Sequence, residues 1–445
     1  MRLPPAVPTW VAQLELAGSS GLEGVVDIRP QPCQRRARVL VRLHQAPIGF
    51  LTIPIIDRTA LADAVRRVAY DDYGSAIRSH LAADGIVVGA ELAWSLPDRP
   101  ADGVCGPSAD ADRAAGGGAG GGAAGPGISV VVCTRDRPDQ LRQCMPRLAD
   151  LAYDHYEVVI VDNAPTDSST LAAFDALVGG DPRFRYVAAP EPGLSRARNR
   201  GLAEARHDLV AFTDDDTLVD PGWLCGLVAG FARDPHVACV TGMIAPAELA
   251  SAAQQYFDRH AGWPAAVVPR LFDLGENADP APSYPFSAGV FGAGANFAVD
   301  RSFVSDIGGF DPLLGAGTPT GGGEDLDIFV RVLFGGRRIA YEPSALVWHV
   351  HRANEQDLAR QLRSWGTGLA AYVTKQLIEP RTRAEVLRRV PRTLAHIARA
   401  WLRATRSREI TSGGAPLSVA ELRGIVAGML IYARARRHHP TPTRA

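Results

Sequence analysis

The sequence has almost no net charge, few cysteines and no long apolar run. Its 445 residues include 47 Lys+Arg and 48 Asp+Glu, a formal net charge of -1, so no general attraction for nucleic acid is indicated. The six cysteines are scattered, with no C-x-x-C pair and no metal-ligand spacing. Disulfide bonds are the alternative, but we expect buried or free thiols in a reducing compartment.

Two further absences concern membranes. The first residues lack the apolar core of a signal peptide, and no run of about 18 uncharged apolar residues occurs in the chain. These features predict a cytoplasmic protein without a membrane-spanning helix. A hydrophobic fraction of 46% still allows a sizeable core.

Changes in composition divide the chain into four parts. Residues 96–127 contain a Gly/Ala run that cannot bury enough apolar surface to offset its ordering entropy, which predicts a flexible linker. Residues 1–95 combine alternating apolar stretches with one helical pattern, as in a small α+β domain. Residues 128–378 carry the motifs described below, and residues 379–445 form an Arg-rich region.

Short apolar runs alternate with helical stretches after the linker. The runs are ISVVVCT, YEVVIVDN, FRYVAA and DLVAFTDDD. Continuous apolar runs of this length suit strands that are buried on both faces of a largely parallel sheet. Strand alternating with helix is typical of an α/β doubly wound domain. Because ligands of such domains bind beyond the carboxyl ends of the strands, the polar residues at those ends are the first candidates for a site.

The Arg-rich region 379–445 contains segments with apolar stripes. We expect amphipathic helices that pack on the preceding domain and expose a basic face. The alternative is peripheral contact with a membrane, because basic amphipathic helices are drawn to anionic lipid.

Asp214, Asp215 and Asp216 stand together at the end of the apolar run LVAF. Three adjacent carboxylates repel one another unless a cation lies among them. Mg²⁺ and Mn²⁺ prefer oxygen ligands and complete their shell with phosphate and water, so Asp214 and Asp216 can share such an ion with a diphosphate. A solvated acidic turn is the alternative, which the apolar run just upstream disfavours.

The helix start GLSRARNRGL is crowded with cations. Positive charge at a helix N-terminus opposes the helix dipole, so Arg198 and Asn199 indicate a bound anion such as a nucleotide. A solvated basic face is the alternative. Thr134, Asp136 and Asp162 follow other strands, where they either contact a nucleoside or simply cap the next turn.

Glu324 and Asp325 open a helix behind the glycine-rich segment GAGTPTGGG. Acidic residues in a first turn are favoured by the dipole alone. A glycine-rich loop is nevertheless suited to act as a lid, and a carboxylate behind a lid is well placed as a general base. His349 and His351 alternate on a later strand, so they point the same way; one of them is a candidate metal ligand, and a wet strand face is the alternative.

Taken in order, these motifs resemble the family 2 glycosyltransferases, enzymes of the GT-A fold that use nucleotide sugars. The resemblance runs from about residue 128 to about residue 352 and covers the segments VVVCTRDRP, VVIVDNAPTD, GLSRARNRGL, VAFTDDDTLVDPGWL, GAGANFAVDRSFVSDIGGFD and GGGEDLDIFVRV. It implies a GT-A type nucleotide-binding sheet flanked by helices. The small α+β domain precedes this sheet and the C-terminal helices follow it.

The resemblance also implies where a nucleotide sugar binds. Thr134 and Asp136 would lie against the nucleoside, Asp162 would contact the base, and Arg198 would lie near the base or the diphosphate. The triple Asp corresponds to the DxD element of the family: Asp214 would face the ribose and Asp216 would bind Mg²⁺ or Mn²⁺. Asp215 takes one of these roles if the register differs.

The remaining implied roles concern the acceptor. Asp325 would accept the proton of the acceptor hydroxyl, with Glu324 in support. Gly294, Ala295 and Asn296 would lie near the acceptor. An aromatic residue often follows the ED pair in this family, and Leu326 departs from that pattern.

The implied activity is inverting transfer of a sugar from a nucleotide-diphosphate sugar to a hydroxyl of a saccharide or glycolipid, in cell-envelope synthesis. One alternative is a nucleotide-sugar-binding protein without activity, against which the intact Asp216 and Asp325 argue. A sugar-phosphate nucleotidyltransferase is a second alternative, and the lack of glycines in CTRDRPDQ disfavours it. The absence of G-x-G-x-x-G at the same place disfavours a NAD-linked dehydrogenase.

Overall fold

The computed structural model describes residues 3, 5–18, 21–88, 96–98, 125–261, 263, 266–392 and 419–438. Most of the predicted linker, and residues 393–418 and 439–445 of the C-terminal region, lie outside these ranges. The described strands are β1 (Thr9–Glu15), β2 (Leu22–Gly24), β3 (Arg36–Leu43), β4 (Ala46–Pro54), β5 (Ile128–Thr134), β6 (Tyr156–Asn163), β7 (Phe184–Ala189), β8 (Leu209–Asp214), β9 (Thr217–Val219), β10 (Val237–Pro246), β11 (Arg270–Phe272), β12 (Asn296–Asp300) and β13 (Arg338–His349). The described helices are α1 (Leu61–Ala83), α2 (Pro138–Ala149), α3 (Ser169–Val178), α4 (Leu194–Glu204), α5 (Trp223–Ala232), α6 (Ala252–Ala261), α7 (Arg301–Asp306), α8 (Glu324–Phe334), α9 (Glu355–Ile378), α10 (380–392) and α11 (Val419–His438).

The N-terminal residues form a four-stranded sheet in the order β2-β1-β3-β4. β3 and β4 pair antiparallel and are joined by the two-residue turn His44–Gln45. Both turn residues have a positive φ, as the tightest hairpin turns require. α1 packs on this sheet through buried residues such as Leu61 and Val65. The N-terminal unit thus consists of one sheet and one helix, and its independence as a domain stays a prediction.

The larger sheet has nine strands, and the four apolar runs form one half of it. β7, β6, β5 and β8 lie side by side in this order and pair parallel. The chain runs from β5 to β7 in one direction and then returns to place β8 on the other side of β5. Ligands of open α/β sheets bind at such a reversal of strand order, so the carboxyl ends of β5 and β8 mark the expected site.

The other half of the sheet is mixed. β12 pairs antiparallel with both β8 and β10, and β11 pairs antiparallel with β13. β10 and β13 pair parallel. The expectation of a largely parallel sheet therefore holds for only one half. Pairing direction between segments that are distant in the chain is set by tertiary packing, which a local apolar pattern does not encode.

Helices cover both faces of the large sheet. On one face, Met145 of α2 and Trp223 of α5 belong to the same buried cluster as the strand residues Val130 and Val158. On the other face, α4 and α8 contribute to a second buried cluster, with Phe329 among its members. The predicted α/β class, with helices flanking a central sheet, is confirmed.

The C-terminal helix α11 packs on α9. Gly424 and Gly428 allow this approach, since a Cβ at either position would lie 2.3 Å from the carbonyl oxygen of Arg363 or Thr367. Tyr432 donates a 3.0 Å hydrogen bond to Asp311. Within the described ranges, no helix combines the length and apolarity needed to cross a bilayer.

Cys33, Cys133, Cys144 and Cys239 carry free thiols, whereas Cys225 is disulfide-bonded. The expectation of free thiols is therefore wrong at Cys225. Spacing along the chain could not reveal this bond, because pairing depends on which sulfur atoms the fold brings together.

The two sheets share a buried contact. Arg42 of β3 binds Asp220, which follows β9, through two hydrogen bonds of 2.5 and 3.1 Å. Both side chains are buried. Leu40 packs beside them in one cluster with Leu218 and Trp348. The N-terminal unit is thus fixed to the large sheet by an ion pair within an apolar contact.

Replacing Arg42 by methionine is expected to lower the free energy of unfolding by about 3–5 kcal/mol, because Asp220 would keep a buried charge without its partner. Urea denaturation of the full chain measures this loss. Arg36 lies on the same strand but is exposed, so Arg36→Met is the matched control. Equal losses in the two variants would contradict the role of the ion pair.

Candidate active site

The carboxyl ends of β5 and β8 open into a cleft of about 1000 Å³. Thr134 ends β5 and Asp214 ends β8, and both line the cleft. Asp325 reaches the same cleft from the start of α8, and His349 reaches it from the end of β13. The strand-end carboxylates and the predicted base therefore share one cavity.

Asp215 is held by protein groups on both of its oxygens. The Thr134 hydroxyl donates to one oxygen at 2.8 Å, and Arg137 donates to the other at 2.5 Å. Burial, and then the charge of Asp216, raise the pKa of Asp215 to about 7. The hydroxyl of Thr134, expected against a nucleoside, is thus bonded to Asp215.

Asp216 divides its two oxygens between arginines and a histidine. Its Oδ2 accepts hydrogen bonds from Arg137 at 3.1 Å and from Arg352 at 2.9 Å. Its Oδ1 lies 3.4 Å from Nε2 of His349. Burial alone would raise the pKa of Asp216, but the interaction with His349 and the charges of Arg137 and Arg352 outweigh it and hold that pKa below its usual value. Asp216 is therefore a carboxylate at neutral pH.

Asp216 and His349 fit a divalent cation. Burial lowers the pKa of His349 to about 4, so its ring is neutral at pH 7 and one nitrogen carries a lone pair. Nδ1 of His349 lies 3.0 Å from Nδ1 of His351, which requires a hydrogen between the two nitrogens. With that hydrogen on His349, its Nε2 lone pair faces the Asp216 oxygen. A carboxylate beside a neutral imidazole whose other nitrogen is hydrogen-bonded is a usual arrangement of metal ligands.

Arg198 connects the strand ends to the start of α8. Its guanidinium donates to Glu324 at 3.0 Å and to the carbonyl oxygen of Gly294 at 2.8 Å, and it lies 3.4 Å from Asp214. The Arg198 side chain is only 2% exposed, whereas that of Asp214 is 33% exposed. Three aromatic rings surround the guanidinium, those of Phe212, Phe297 and Phe310. Arg198, from the helix start GLSRARNRGL, is thus a buried cation in the wall of the cleft.

Asp325 is oriented by two backbone N–H groups. Gly294 donates to its Oδ2 at 2.8 Å and Leu326 donates to its Oδ1 at 2.8 Å. The side chain is half-buried and lines the cleft. Each carboxylate oxygen has a further lone pair, so Asp325 can accept another hydrogen bond from a group in the cleft.

Glu324 is buried next to Asp325. Its Oε1 accepts the bond from Arg198, and its Oε2 is buried with no hydrogen-bond partner in the part of the chain that the structure describes. Burial, and then the charge of Asp325, raise the pKa of Glu324 to about 7. This carboxyl group is therefore suited to holding Arg198 rather than to direct contact with an acceptor.

The glycine-rich segment before α8 lines the cleft through several of its residues. Gly315, Gly317, Gly321 and Gly323 all have a φ between 72° and 104°, a region that glycine adopts without strain. These glycines turn the chain sharply above the site. The action of this glycine-rich segment as a lid stays a prediction.

Asp136 and Asp162 lie outside the cleft wall. Asp162 is fully buried and accepts a 2.6 Å hydrogen bond from the Tyr186 hydroxyl. Asp136 is exposed and accepts hydrogen bonds from the backbone and hydroxyl of Thr166. Asn163, next to Asp162, lines the cleft instead. The nucleoside and base contacts of the two aspartates stay predictions.

Two of the three residues expected near the acceptor, Gly294 and Ala295, line the cleft. Asn296 is fully buried, and its side chain bonds to a tryptophan ring and to two backbone carbonyls. Asn199 also bonds away from the cleft, to the backbone of Phe310. Both asparagines fix the backbone around the site.

Arg137, Arg352 and Trp263 were missed by the sequence reasoning. The two arginines hold Asp216, and the Trp263 ring lies 5.0 Å from that of His349. A signal was present for the arginines: an acidic triplet needs cations, and Arg137 and Arg352 stand just after two apolar strands. No local pattern marks Trp263, because its segment carries neither strand nor helix periodicity.

The family model described as Glycosyl transferase family 2 matches residues 129–295. The chain is 32% identical to the pre-mycofactocin glycosyltransferase of Mycobacterium tuberculosis over 247 residues, which cover 55% of this chain and 46% of that relative. It is 25% identical to an N-acetylglucosaminyltransferase of Mesorhizobium japonicum over 244 residues, 54% of this chain and 55% of the relative. The chain thus spans about half the length of the curated relatives it matches.

Among solved structures, the chain is similar to a mannosyltransferase from Pyrobaculum calidifontis in complex with GDP-Man and Mn²⁺. The sequence identity is 18% and the TM-score is 0.45. The similarity covers 71% of this chain and 88% of the other.

Proposed function

We propose that the chain moves a sugar from a nucleotide-diphosphate sugar to an acceptor hydroxyl, with inversion at the anomeric carbon. The chain belongs to the family 2 glycosyltransferases through a domain that matches over residues 129–295, and this membership supports the proposal. The observation that carries this proposal is the single cleft shared by the strand-end aspartates and Asp325. A single displacement needs a leaving-group site and a proton acceptor on one cavity. The cleft offers a candidate group for each role.

The strand-end side supports binding of the diphosphate. Asp216 and His349 would hold Mg²⁺ or Mn²⁺, which would supply positive charge against the negative charge that develops on the leaving diphosphate. Arg137 and Arg352 keep Asp216 ionised and add positive charge to the cleft wall. Asp214 is the partly exposed member of the triplet, and we assign it to the ribose or to a second position on the metal. Asp215 is satisfied by Thr134 and Arg137.

Asp325 is proposed as the base. Its two backbone hydrogen bonds fix the carboxylate plane, so that a remaining lone pair accepts the proton from an acceptor hydroxyl as that oxygen attacks the sugar. Gly294 links this base to Arg198, and Arg198 lies beside Asp214. The proton acceptor and the donor site are therefore held in one rigid unit, which is what positioning of two reactants requires.

Replacing Arg352 by methionine is expected to raise the Michaelis constant for the donor by about 10–100-fold, with a smaller effect on kcat. A charge-assisted hydrogen bond of this kind contributes about 1.5–3 kcal/mol, and Asp216 would keep only Arg137 on that oxygen. Steady-state kinetics against donor concentration measure the change. Arg200, exposed and paired with Glu204, provides the control Arg200→Met. A variant of Arg352 with an unchanged Michaelis constant would remove this arginine from the proposed donor site.

The acceptor is proposed as a saccharide or glycolipid of the cell envelope, reached at the cytoplasmic face of the membrane. Exposed Met429 and Leu430 on α11, with Arg434 and Arg437 exposed beside them, support a peripheral contact with anionic lipid. The relative named as a pre-mycofactocin glycosyltransferase supports adding pre-mycofactocin to the acceptors that are tested.

A donor screen tests the proposed function. The full chain is freed of metal with EDTA and then incubated with Mn²⁺, a panel of nucleotide-diphosphate sugars and the acceptors above, and release of nucleoside diphosphate is measured. Release with at least one donor, and a product of inverted anomeric configuration by NMR, is the expected result. Binding without release across all donors favours the inactive binding protein. Pyrophosphate formation from a sugar phosphate and a nucleoside triphosphate favours the nucleotidyltransferase.

A further inference from the structure

A second group of potential metal ligands lies in the N-terminal unit, away from the cleft. His44 occupies the turn between β3 and β4, and His80 and Asp84 lie one helical turn apart at the end of α1. One ligand atom from each of the three lies within 4.8 Å of the other two. Within the ranges that the structure describes, this is the group of three that meets that criterion. The proposed glycosyl transfer uses none of these residues.

The hydrogen bonds of His44 determine which of its nitrogens is free to bind a cation. Its Nε2 lies 3.0 Å from the carbonyl oxygen of Pro97. A carbonyl oxygen only accepts hydrogen bonds, so Nε2 carries the hydrogen. In the neutral ring, Nδ1 then presents a lone pair, and it faces an oxygen of Asp84 at 2.6 Å. Two such atoms at this distance are joined by a hydrogen bond, and a metal ion in place of that hydrogen would hold them farther apart.

His80 turns this pair into a three-ligand site. Its Nε2 lies 3.2 Å from the same Asp84 oxygen, and the rings of His44 and His80 are 5.2 Å apart. Ligand atoms of a tetrahedral zinc ion lie about 3.3–3.5 Å apart, since the bonds are about 2.0–2.1 Å long. The distance from His80 to Asp84 is within about 0.1 Å of this range, and the His44 ring would have to move less than about 1 Å from Asp84. A histidine that donates its other nitrogen to a backbone carbonyl is the usual support of a metal ligand.

The backbone around His44 is held in place for such a site. His44 and Gln45 have φ values of 52° and 66°, which are unfavourable for residues other than glycine. The carboxylate of Glu15 accepts hydrogen bonds from the backbone N–H groups of both residues, at 2.9 and 3.0 Å. The His44 ring is 2% exposed and the Asp84 side chain 11%. The two hydrogen bonds to Glu15 thus hold the turn in a conformation that keeps the His44 ring buried against the end of α1.

We propose that His44, His80 and Asp84 bind one Zn²⁺ ion, with water as the fourth ligand, and that this ion fastens the β3–β4 turn to the end of α1. Two imidazoles and a carboxylate suit zinc better than Mg²⁺ or Ca²⁺, which prefer oxygen ligands. Arg42, two residues before His44, carries the buried ion pair to Asp220. The zinc ion therefore stiffens the turn through which the N-terminal unit contacts the large sheet. This inference does not depend on the proposed glycosyl transfer.

Zinc titration of three full-length proteins tests the site. The proteins are the wild type, His80→Gln and the control His236→Gln, in which an exposed histidine beside Asp234 is replaced. Each is stripped with EDTA, dialysed and titrated with Zn²⁺ alone by calorimetry, and thermal melting is followed with and without Zn²⁺. Sites elsewhere, including the cleft, are the same in all three proteins, so only the difference between them is informative.

The wild type and His236→Gln are expected to bind one equivalent of Zn²⁺ that His80→Gln binds at least 10-fold more weakly, because one of three protein ligands is gone. Binding of that equivalent also raises the melting temperature of the wild type and of His236→Gln by more than that of His80→Gln. If His80→Gln does not fold in EDTA, Asp84→Asn takes its place with the same expectation. Equal zinc stoichiometry and affinity in the variant and the wild type overturn the proposal.

Discussion

Replacing Asp325 by asparagine is expected to lower turnover by about 10²–10⁴-fold, which is the range attributed to a positioned general base. Binding of the nucleotide-diphosphate sugar is expected to stay near its wild-type strength. The amide cannot take the proton of the acceptor hydroxyl. It keeps the size of the carboxylate and can accept a hydrogen bond from Gly294 or from Leu326, though not from both. Single-turnover kinetics and donor calorimetry on the same protein separate the two effects.

The control for this variant is Asp139→Asn. Asp139 also lies in the first turn of a helix, but its side chain is 82% exposed and lies outside the cleft. Its turnover is expected to match the wild type. Turnover of Asp325→Asn within about five-fold of the wild type would assign the proton transfer to another group. Loss of donor binding together with turnover would instead make Asp325 a structural residue.

Alanine at position 216 is expected to abolish the metal-dependent part of nucleoside diphosphate binding. Loss of groups that only support a metal ligand weakens metal affinity by about 10–100-fold, so loss of the ligand itself costs at least as much. Arg137 and Arg352 are released from the carboxylate by this change and remain available to the phosphates. Binding without metal is therefore expected to stay the same or to strengthen.

Calorimetry with a nucleoside diphosphate, in Mn²⁺ and in EDTA, measures both parts. Wild-type binding is expected to weaken in EDTA, whereas the Asp216→Ala variant binds equally in the two buffers. The EDTA arm acts as the internal control, because it removes the metal from an otherwise intact cleft. A variant that still gains affinity from Mn²⁺ would show that another pair of ligands holds the ion.

The parallel half of the sheet and the cleft were predictable from the sequence because their signals are local. Each of the four runs is continuous and apolar, and a strand buried on both faces has this pattern. The position of Asp214 at a strand end follows directly. Parallel strands then bring the polar residues at their ends to one edge, which needs no knowledge of pairing order. The start of α8 at Glu324 was visible for a similar reason, since acidic residues follow a run of glycines.

Features that depend on distant pairs were not predictable. The hydrogen bond that places Asp215 against Thr134 joins residues 81 positions apart, and the one from Arg352 to Asp216 joins residues 136 positions apart. The apolar pattern fixes which residues form a strand but not which partner each side chain meets. For the same reason the sequence left open which aspartates take which roles. Their contacts differ: Asp216 lies beside His349, Asp215 accepts a hydrogen bond from Thr134, and Asp214 alone is substantially exposed.

The buried guanidinium of Arg198 has a consequence for the order in which the protein is made. Its partners Gly294 and Glu324 follow it by 96 and 126 residues. A growing chain that has not yet reached Glu324 would have to bury this charge with only Asp214 nearby, and an uncompensated buried charge costs several kcal/mol. The strands β5 to β8 are synthesised early, but we expect them to close stably around Arg198 only after α8 has left the ribosome. The helix that carries the proposed base would then also complete the folding of the half of the domain made before it.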